Sequence, residues 1–332
     1  MIINLKKEVS EEKALALAKE NKAFLIKNKQ EYVLVNSSSI KEVPASLENY
    51  VSEFFVFPND MQLSSSDYLS GKRTIQLGDI QIGGKNKNTL LMAGPCSVES
   101  EDQIRKTASL LKGLDIKVLR AGSYKPRTSP YSFQGMGSQG LKLLDKMREE
   151  FGFKIITEVR DSTHIDEIIA YADIVQIGAK SMYDHGILRK CGKVQKPVLL
   201  KRGFGTTLQE FVQAAEFILS GGNPNVILCE RGIRTFETKT RFSLDLSGVA
   251  YLKHYTNLPI VLDPSHAMGY AYGVPDLAKA CIAMGVEGLL IEVHPNPAEA
   301  KSDALQQLNH EEFTALYQDL KAVAASINYN LV

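Results

Sequence analysis

The sequence predicts an α/β protein, a (β/α)8 TIM barrel preceded by a small α+β domain of ferredoxin-like order. Three observations carry this. From residue 88 onward, eight short apolar runs alternate with stretches of helical periodicity. The first 58 residues read strand, helix, strand, strand, short helix, strand. The first strand–helix turn of the larger segment, AGPCSVES, lacks the G-x-G-x-x-G fingerprint, which ranks a doubly wound open sheet second.

In order, MIINLK is a strand and SEEKALALAKEN a helix, with Ser10 as its cap and Glu11 and Glu12 placed favourably for the helix dipole. KAFLIKN and EYVLVNS are strands, PASLENY a second helix, and VSEFFVFPN a fourth strand, which makes residues 1–66 a ferredoxin-like domain. NDMQLSSSDYLSGK, residues 59–72, has the polar, Ser-rich composition of a linker. The barrel domain is 67–332. It opens with a hairpin over 73–84, RTIQLGDIQIGG, which turns at Gly78-Asp79 and is placed to close the barrel base. The barrel strands are TLLMAGPC, IKVLRAG, KIITEV, DIVQIGA, PVLLKRG, NVILCERG, LPIVLD and GLLIEVHP, and a last helix, HEEFTALYQDLKAVAASI, follows the eighth.

The bulk numbers narrow the function classes. A net charge of +1 points to no nucleic-acid or membrane partner, so anions must be met by local clusters of Lys and Arg. The start, MIINLKKEVSEEK, has no signal-peptide core, and no run approaches the length of a membrane span. Cys96, Cys191, Cys229 and Cys281 include no C-x-x-C pair, which argues against a zinc ribbon or disulfide scaffold. A reduced, cytoplasmic protein is expected.

In a TIM barrel the chemistry gathers at the carboxyl ends of the strands. Here those ends carry Cys96, Arg120, Glu158, Lys180, Lys201, Arg231, His266 and Glu292. Strand parity puts Lys201 on a face with Leu199, Arg231 with Cys229, and Glu292 with Leu290. Such groups are costly among apolar neighbours unless they meet opposite charge, an anionic ligand for the cations or a metal for the carboxylate.

Two groupings follow. Cys96, His266, Glu292 and Asp303 come from strands one, seven and eight and the loop beyond, which closure makes neighbours. Their S, N and O donors suit Mn2+, Fe2+, Co2+ or Zn2+ better than Mg2+. Taken singly, Cys96 reads first as core, Asp303 first as the cap of ALQQL, and His294 as a rival ligand. The second grouping is Arg120, Lys125, Arg127, Lys180, Lys201 and Arg231, with Arg202 and Arg234 nearby, a cationic bowl for a substrate with several negative charges. Pro126 and a second proline flank Arg127 in the loop SYKPRTSPYSFQGMG and restrict its backbone.

AGPCSVES, LRAGSYKPRTSPYSFQG, TEVRD, QIGAK, PVLLKRG, CERGIRT, LDPSHAMG and IEVHPNP, in this order, resemble the 3-deoxy-D-arabino-heptulosonate 7-phosphate synthases, in the form with an N-terminal ferredoxin-like domain. The resemblance covers about residues 73–330 and implies condensation of phosphoenolpyruvate with erythrose 4-phosphate and water, the first step of the shikimate pathway. It implies metal ligation by Cys96, His266, Glu292 and Asp303, with Mn2+ the first choice, and demotes His294. It places Arg120, Lys201 and Arg231 on phosphoenolpyruvate, and Lys125, Pro126, Arg127 and Thr128, the KPRT motif, on erythrose 4-phosphate. Where the family reads QIGAR this chain has Lys180, which keeps the charge and loses the planar fork. Glu158 or Lys125 would assist proton movement beside Cys96 and His266. The resemblance also suggests a homotetramer and, for the small domain, feedback by tyrosine or phenylalanine.

Three other readings compete. A 3-deoxy-D-manno-octulosonate 8-phosphate synthase would carry a loop like KANRSS in place of KPRT. A Schiff-base aldolase would use Lys201 as its amine. A non-enzymatic aromatic amino acid sensor would not need Cys96, His266 and Glu292 together.

Overall fold

The computed structural model describes residues 1–27, 31–125 and 129–332. The chain begins with β1 (Ile2–Leu5), α1 (Glu11–Glu20), β2 (Phe24–Lys27), β3 (Tyr32–Val35) and β4 (Val51–Phe55). These strands form an antiparallel sheet in the order β2-β3-β1-β4, the ferredoxin-like arrangement. Ser10 caps α1 by accepting from the Lys13 amide. Ala14, Leu17 and Ala18 of α1 pack on Ile3, Leu5 and Leu34. The opposite sheet face contributes Ile2, Val33 and Val35 to the main core of the molecule. The second helix expected over PASLENY is only a 3-10 turn, Glu48–Tyr50. Pro44 leaves six residues before β4, too few to recoup helix nucleation.

The Ser-rich stretch differs from a free linker. Met61, Gln62, Leu63 and Ser64 are buried. The Glu216 carboxylate accepts from the amides of Gln62, Leu63 and Ser64 and from the Ser64 hydroxyl, and Asn257 donates to the Leu63 and Ser65 carbonyls. Polar composition here serves hydrogen bonding to the barrel.

The hairpin is β5 (Thr74–Leu77) and β6 (Ile80–Gly83). The barrel follows as β7 (Asn88–Gly94), α2 (Glu101–Gly113), β8 (Val118–Arg120), α3 (Ser138–Phe151), β9 (Lys154–Val159), α4 (Ile165–Tyr171), β10 (Ile174–Ile177) and α5 (His185–Gly192). It continues as β11 (Val198–Lys201), α6 (Leu208–Ser220), β12 (Val226–Glu230), α7 (Leu246–Tyr255), β13 (Ile260–Leu262), α8 (Pro264–Met268), α9 (Val274–Ala283), β14 (Gly288–Glu292) and α10 (His310–Ser326). Each strand from β7 to β14 pairs with the next in parallel, and β14 pairs with β7 to close the barrel. A short β15 (Asn330–Leu331) adds to β7 in parallel.

The barrel interior holds Met92, Val118, Ile156, Ile174, Leu199, Ile227, Val261 and Leu290. Ile75, Leu77, Ile80 and Ile82 of the hairpin join that cluster and stopper the base. The opposite end is open to the strand–helix loops.

Candidate active site

Interior parity continues past the apolar layer. Two residues beyond Val118, Ile156, Leu199, Cys229, Val261 and Leu290 stand Arg120, Glu158, Lys201, Arg231, Asp263 and Glu292. The strands thus deliver charged groups to the floor of the open end.

Cys96, Glu292 and Asp303 each present a ligand atom within 4.8 Å of the others. The fourth expected ligand, His266, borders them, its Nε2 lying 3.5 Å from Glu292 Oε1. Asp303 sits in the left-handed region at φ +47, which Asp adopts more readily than most residues. It does not cap the turn after it. One thiol, one imidazole and two carboxylates converge from separate segments, a donor set that fits a divalent first-row ion. Burial pushes the Cys96 thiol up to about 12. For Asp303, burial works upward, but His266 and Lys125 outweigh it and hold the carboxyl low. His294 lies outside this cluster. Its Nδ1 accepts from the Asn296 amide at 3.0 Å, so Nε2 keeps the proton and faces Glu99 at 3.7 Å.

The cations divide. Arg120 donates to Glu292 at 2.7 Å and to the Pro95 carbonyl at 2.9 Å. Lys201 is paired with Asp263 at 2.6 Å. Lys125 Nζ lies 3.1 Å from the Cys96 carbonyl and 3.2 Å from its sulfur. Arg202 is buried in contact with Glu230, Asp245 and the Thr206 carbonyl, and so braces the wall without joining the bowl. Arg231 is different. Its guanidinium lies against the stacked rings of Phe204 and Phe242, 5.1 and 4.2 Å from the ring centres. Among the described residues its buried Nη1 has no hydrogen-bond partner. A buried donor on a residue that lines the cavity is costly unless a ligand accepts from it, and the chemistry fits an anion.

Lys125, Glu158, Lys180, Lys201, Arg231, His266 and Asp303 line one cavity, and Arg120, Cys96 and Glu292 are buried beside it. Glu158 accepts from Gln176 at 2.9 Å and lies across Gly178, where a Cβ would stand 2.0 Å from its Oε1. That approach explains the glycine of QIGAK. Pro126, Arg127 and Thr128 lie outside the described residues.

Several participants escaped the sequence reading. Asp263 pairs with Lys201, accepts from the His266 amide at 3.0 Å, and lies 2.8 Å from His266 Nδ1, out of line for a hydrogen bond. Parity with Val261 flags it, by the rule that found Lys201. Gln307 accepts from the Cys96 amide at 2.9 Å and donates to the Ser302 carbonyl at 2.8 Å, tying two ligand-bearing segments together. Gln306 donates to Glu292 at 2.6 Å. Neutral amides in a polar loop give no advance signal.

The family model described as DAHP synthetase I family matches residues 61–328. The chain belongs to the DAHP synthetase I family. A phospho-2-dehydro-3-deoxyheptonate aldolase of Thermotoga maritima is 45% identical over 266 residues, covering 80% of this chain and 78% of the relative. A 2-dehydro-3-deoxyphosphooctonate aldolase of Methylobacillus flagellatus is 33% identical over 241 residues, covering 66% of this chain and 85% of the relative. Among solved structures, the Thermotoga maritima DAHP synthase superposes with a TM-score of 0.81 at 39% identity, covering 100% of this chain and 99% of that one. A truncated form of the Thermotoga enzyme matches 81% of this chain and 98% of its own, at 41% identity and a TM-score of 0.76. Within this DAHP synthetase family member, no helix among the described residues is long and apolar enough to cross a membrane.

Proposed function

We infer that this DAHP synthetase family member condenses phosphoenolpyruvate with erythrose 4-phosphate and water to give 3-deoxy-D-arabino-heptulosonate 7-phosphate and phosphate. The observation that carries it is the meeting, at one barrel mouth, of a mixed thiol–imidazole–carboxylate cluster with a buried arginine donor unpartnered among the described residues. The heptonate-type relative is more similar to this chain than the octonate-type one, which supports the four-carbon aldehyde as substrate. Lys201 is engaged by Asp263 at 2.6 Å, a contact that a nucleophilic amine would have to give up, which speaks against a Schiff-base role.

The reaction joins C3 of the enol phosphate to the aldehyde carbon. Positive charge develops at C2, water adds there, and the phosphate leaves. Arg120, Arg231 and Lys201 are proposed to orient the phosphoenolpyruvate anion, and their fixed charges offset the repulsion between the two phosphorylated substrates. Pro126, Arg127 and Thr128, with Lys125, are proposed for erythrose 4-phosphate on the strength of the KPRT motif, and Lys180 for phosphate contact. Glu158 and Lys125 face the same cavity and are proposed to move protons to or from the water and the new alkoxide. Cys96, His266, Glu292 and Asp303 would hold a divalent ion, Mn2+ first with Fe2+, Co2+ or Zn2+ as alternatives, supplying Lewis-acid polarisation of the aldehyde oxygen when bound.

The test is to strip the protein with a chelator and follow phosphoenolpyruvate consumption with erythrose 4-phosphate before and after Mn2+ is added, alongside Cys96→Ala. Restored consumption that the variant cannot match is the expected result. Consumption indifferent to chelation removes the metal, and consumption only with arabinose 5-phosphate replaces the substrate.

We further propose that residues 1–66 are a regulatory domain answering tyrosine or phenylalanine and that 67–332 carry catalysis. Its sheet packs into the main core through Ile2, Val33 and Val35, a direct route from one unit to the other. Deletion of 1–66 should leave an active enzyme that ignores both amino acids, and retention of full sensitivity refutes the assignment. A homotetramer is proposed from the family resemblance and is checked by light scattering. A cytoplasmic location fits four buried free cysteines.

A further inference from the structure

We propose that Gln306 is a positioning residue for the metal cluster, setting the orientation of the Glu292 carboxylate through an amide that Arg241 holds in one sense. This rests on the metal reading above and adds a residue that no ligand pattern includes. Gln306 is 2% exposed. Its Nε2 donates to Glu292 Oε2 at 2.6 Å, and its Oε1 accepts from Arg241 Nη1 at 2.7 Å. A guanidinium only donates and a carboxylate only accepts, so each end of the amide has a single permitted partner. Flipping it would set oxygen against oxygen and NH2 against guanidinium. Glu292 is therefore restrained from two sides: Oε1 by Arg120 at 2.7 Å and Oε2 by Gln306. A lone pair on each oxygen remains for other contacts. A carboxylate fixed in this way meets an ion without first losing its own rotational freedom, which is how partners beyond the ligands raise metal affinity. Arg241 also lies 3.4 Å from Asp303 Oδ1, so the same cation steadies a second ligand.

The experiment titrates the metal-free full-length protein with Co2+. It reads the thiolate-to-cobalt charge-transfer band, the dissociation constant, and the thermal midpoint of the metal-free form. Gln306→Met conserves volume and removes both hydrogen bonds. Its Co2+ affinity should fall roughly 10- to 100-fold, with a shifted band, while the metal-free midpoint reports separately the cost of leaving Glu292 Oε2 without its donor. Gln306→Asn keeps the amide one methylene short and should fall between. If Gln306→Met does not fold, Gln306→Asn decides by the same criterion. Variants that bind Co2+ within twofold of the parent, with an unaltered band, overturn the role of Gln306 alone. A parent chain that shows neither band nor binding overturns the metal reading, and this inference with it.

Discussion

Arg231→Met removes a guanidinium that lies against a stacked pair of phenylalanine rings, and the structure allows its effects on stability and on binding to be separated. Two cation–π contacts are lost, together worth about 1–3 kcal/mol to the fold. Against that, a buried donor without a partner is removed, which costs the folded protein about 1–3 kcal/mol. Burial already pushes the Arg231 pKa down, the mark of a charge held against its solvation preference. Methionine packs against the same rings and makes sulfur–aromatic contacts of its own. The two changes offset each other, and denaturant unfolding should place the variant within about 1 kcal/mol of the parent. Binding has no such offset. One charge-assisted hydrogen bond to an anion is worth about 1.5–3 kcal/mol, so calorimetric titration should show phosphoenolpyruvate affinity weakened by roughly 10- to 150-fold. A variant that binds phosphoenolpyruvate within threefold of the parent while losing more than about 2 kcal/mol of stability would refute the reasoning and make Arg231 a structural residue.

Asp263→Asn leaves Lys201 buried without its counter-charge, and unfolding should show a loss of about 3–5 kcal/mol; a loss under about 1 kcal/mol would mean the pair is solvated. Gly178→Ala drives a Cβ into Glu158, so turnover should fall while the KM for phosphoenolpyruvate holds; unchanged turnover removes Glu158 from the proton path. Lys180→Arg restores the planar fork and should lower the KM for phosphoenolpyruvate several-fold in steady-state assays; no change would place Lys180 off the phosphate. Burial raises the Glu216 carboxyl above its ordinary 4.5. A raised acid binds its proton more tightly when folded, so its contribution is full below 4.5 and is lost as pH rises through the folded value. The stability of the parent relative to Glu216→Gln should therefore decline as pH rises above 4.5, and a constant difference would refute the assignment.

The barrel was legible because burial on a strand obeys a period of two, so the same alternation that marks β11, β12 and β14 also marks which terminal residues face inward. That rule located Lys201, Arg231 and Glu292, and applied to β13 it would have located Asp263. Cys96 and Asp303 were placed by motif, since neither composition nor periodicity separates a ligand from a core thiol or a helix cap. The strapped segment at residues 61–65 was missed because its hydrogen bonds run to Glu216 and Asn257, about 150 to 190 positions away. Gln306 and Gln307 were missed for a related reason. An amide's role depends on what lies at each end, and both ends here are set by tertiary contacts. β15 is two residues long and pairs outside the eightfold repeat, too short for any pattern.

The apolar hairpin at the base makes the barrel a blind-ended vessel, and that constrains the traffic of ligands. Everything that reaches Arg231 and Lys201 comes through the same mouth by which everything leaves. A ligand seated on those two side chains therefore has hydrocarbon beneath it and the strand–helix loops around it, and it exchanges with solvent at that end alone. A floor sealed by hydrocarbon thereby leaves the site a single door.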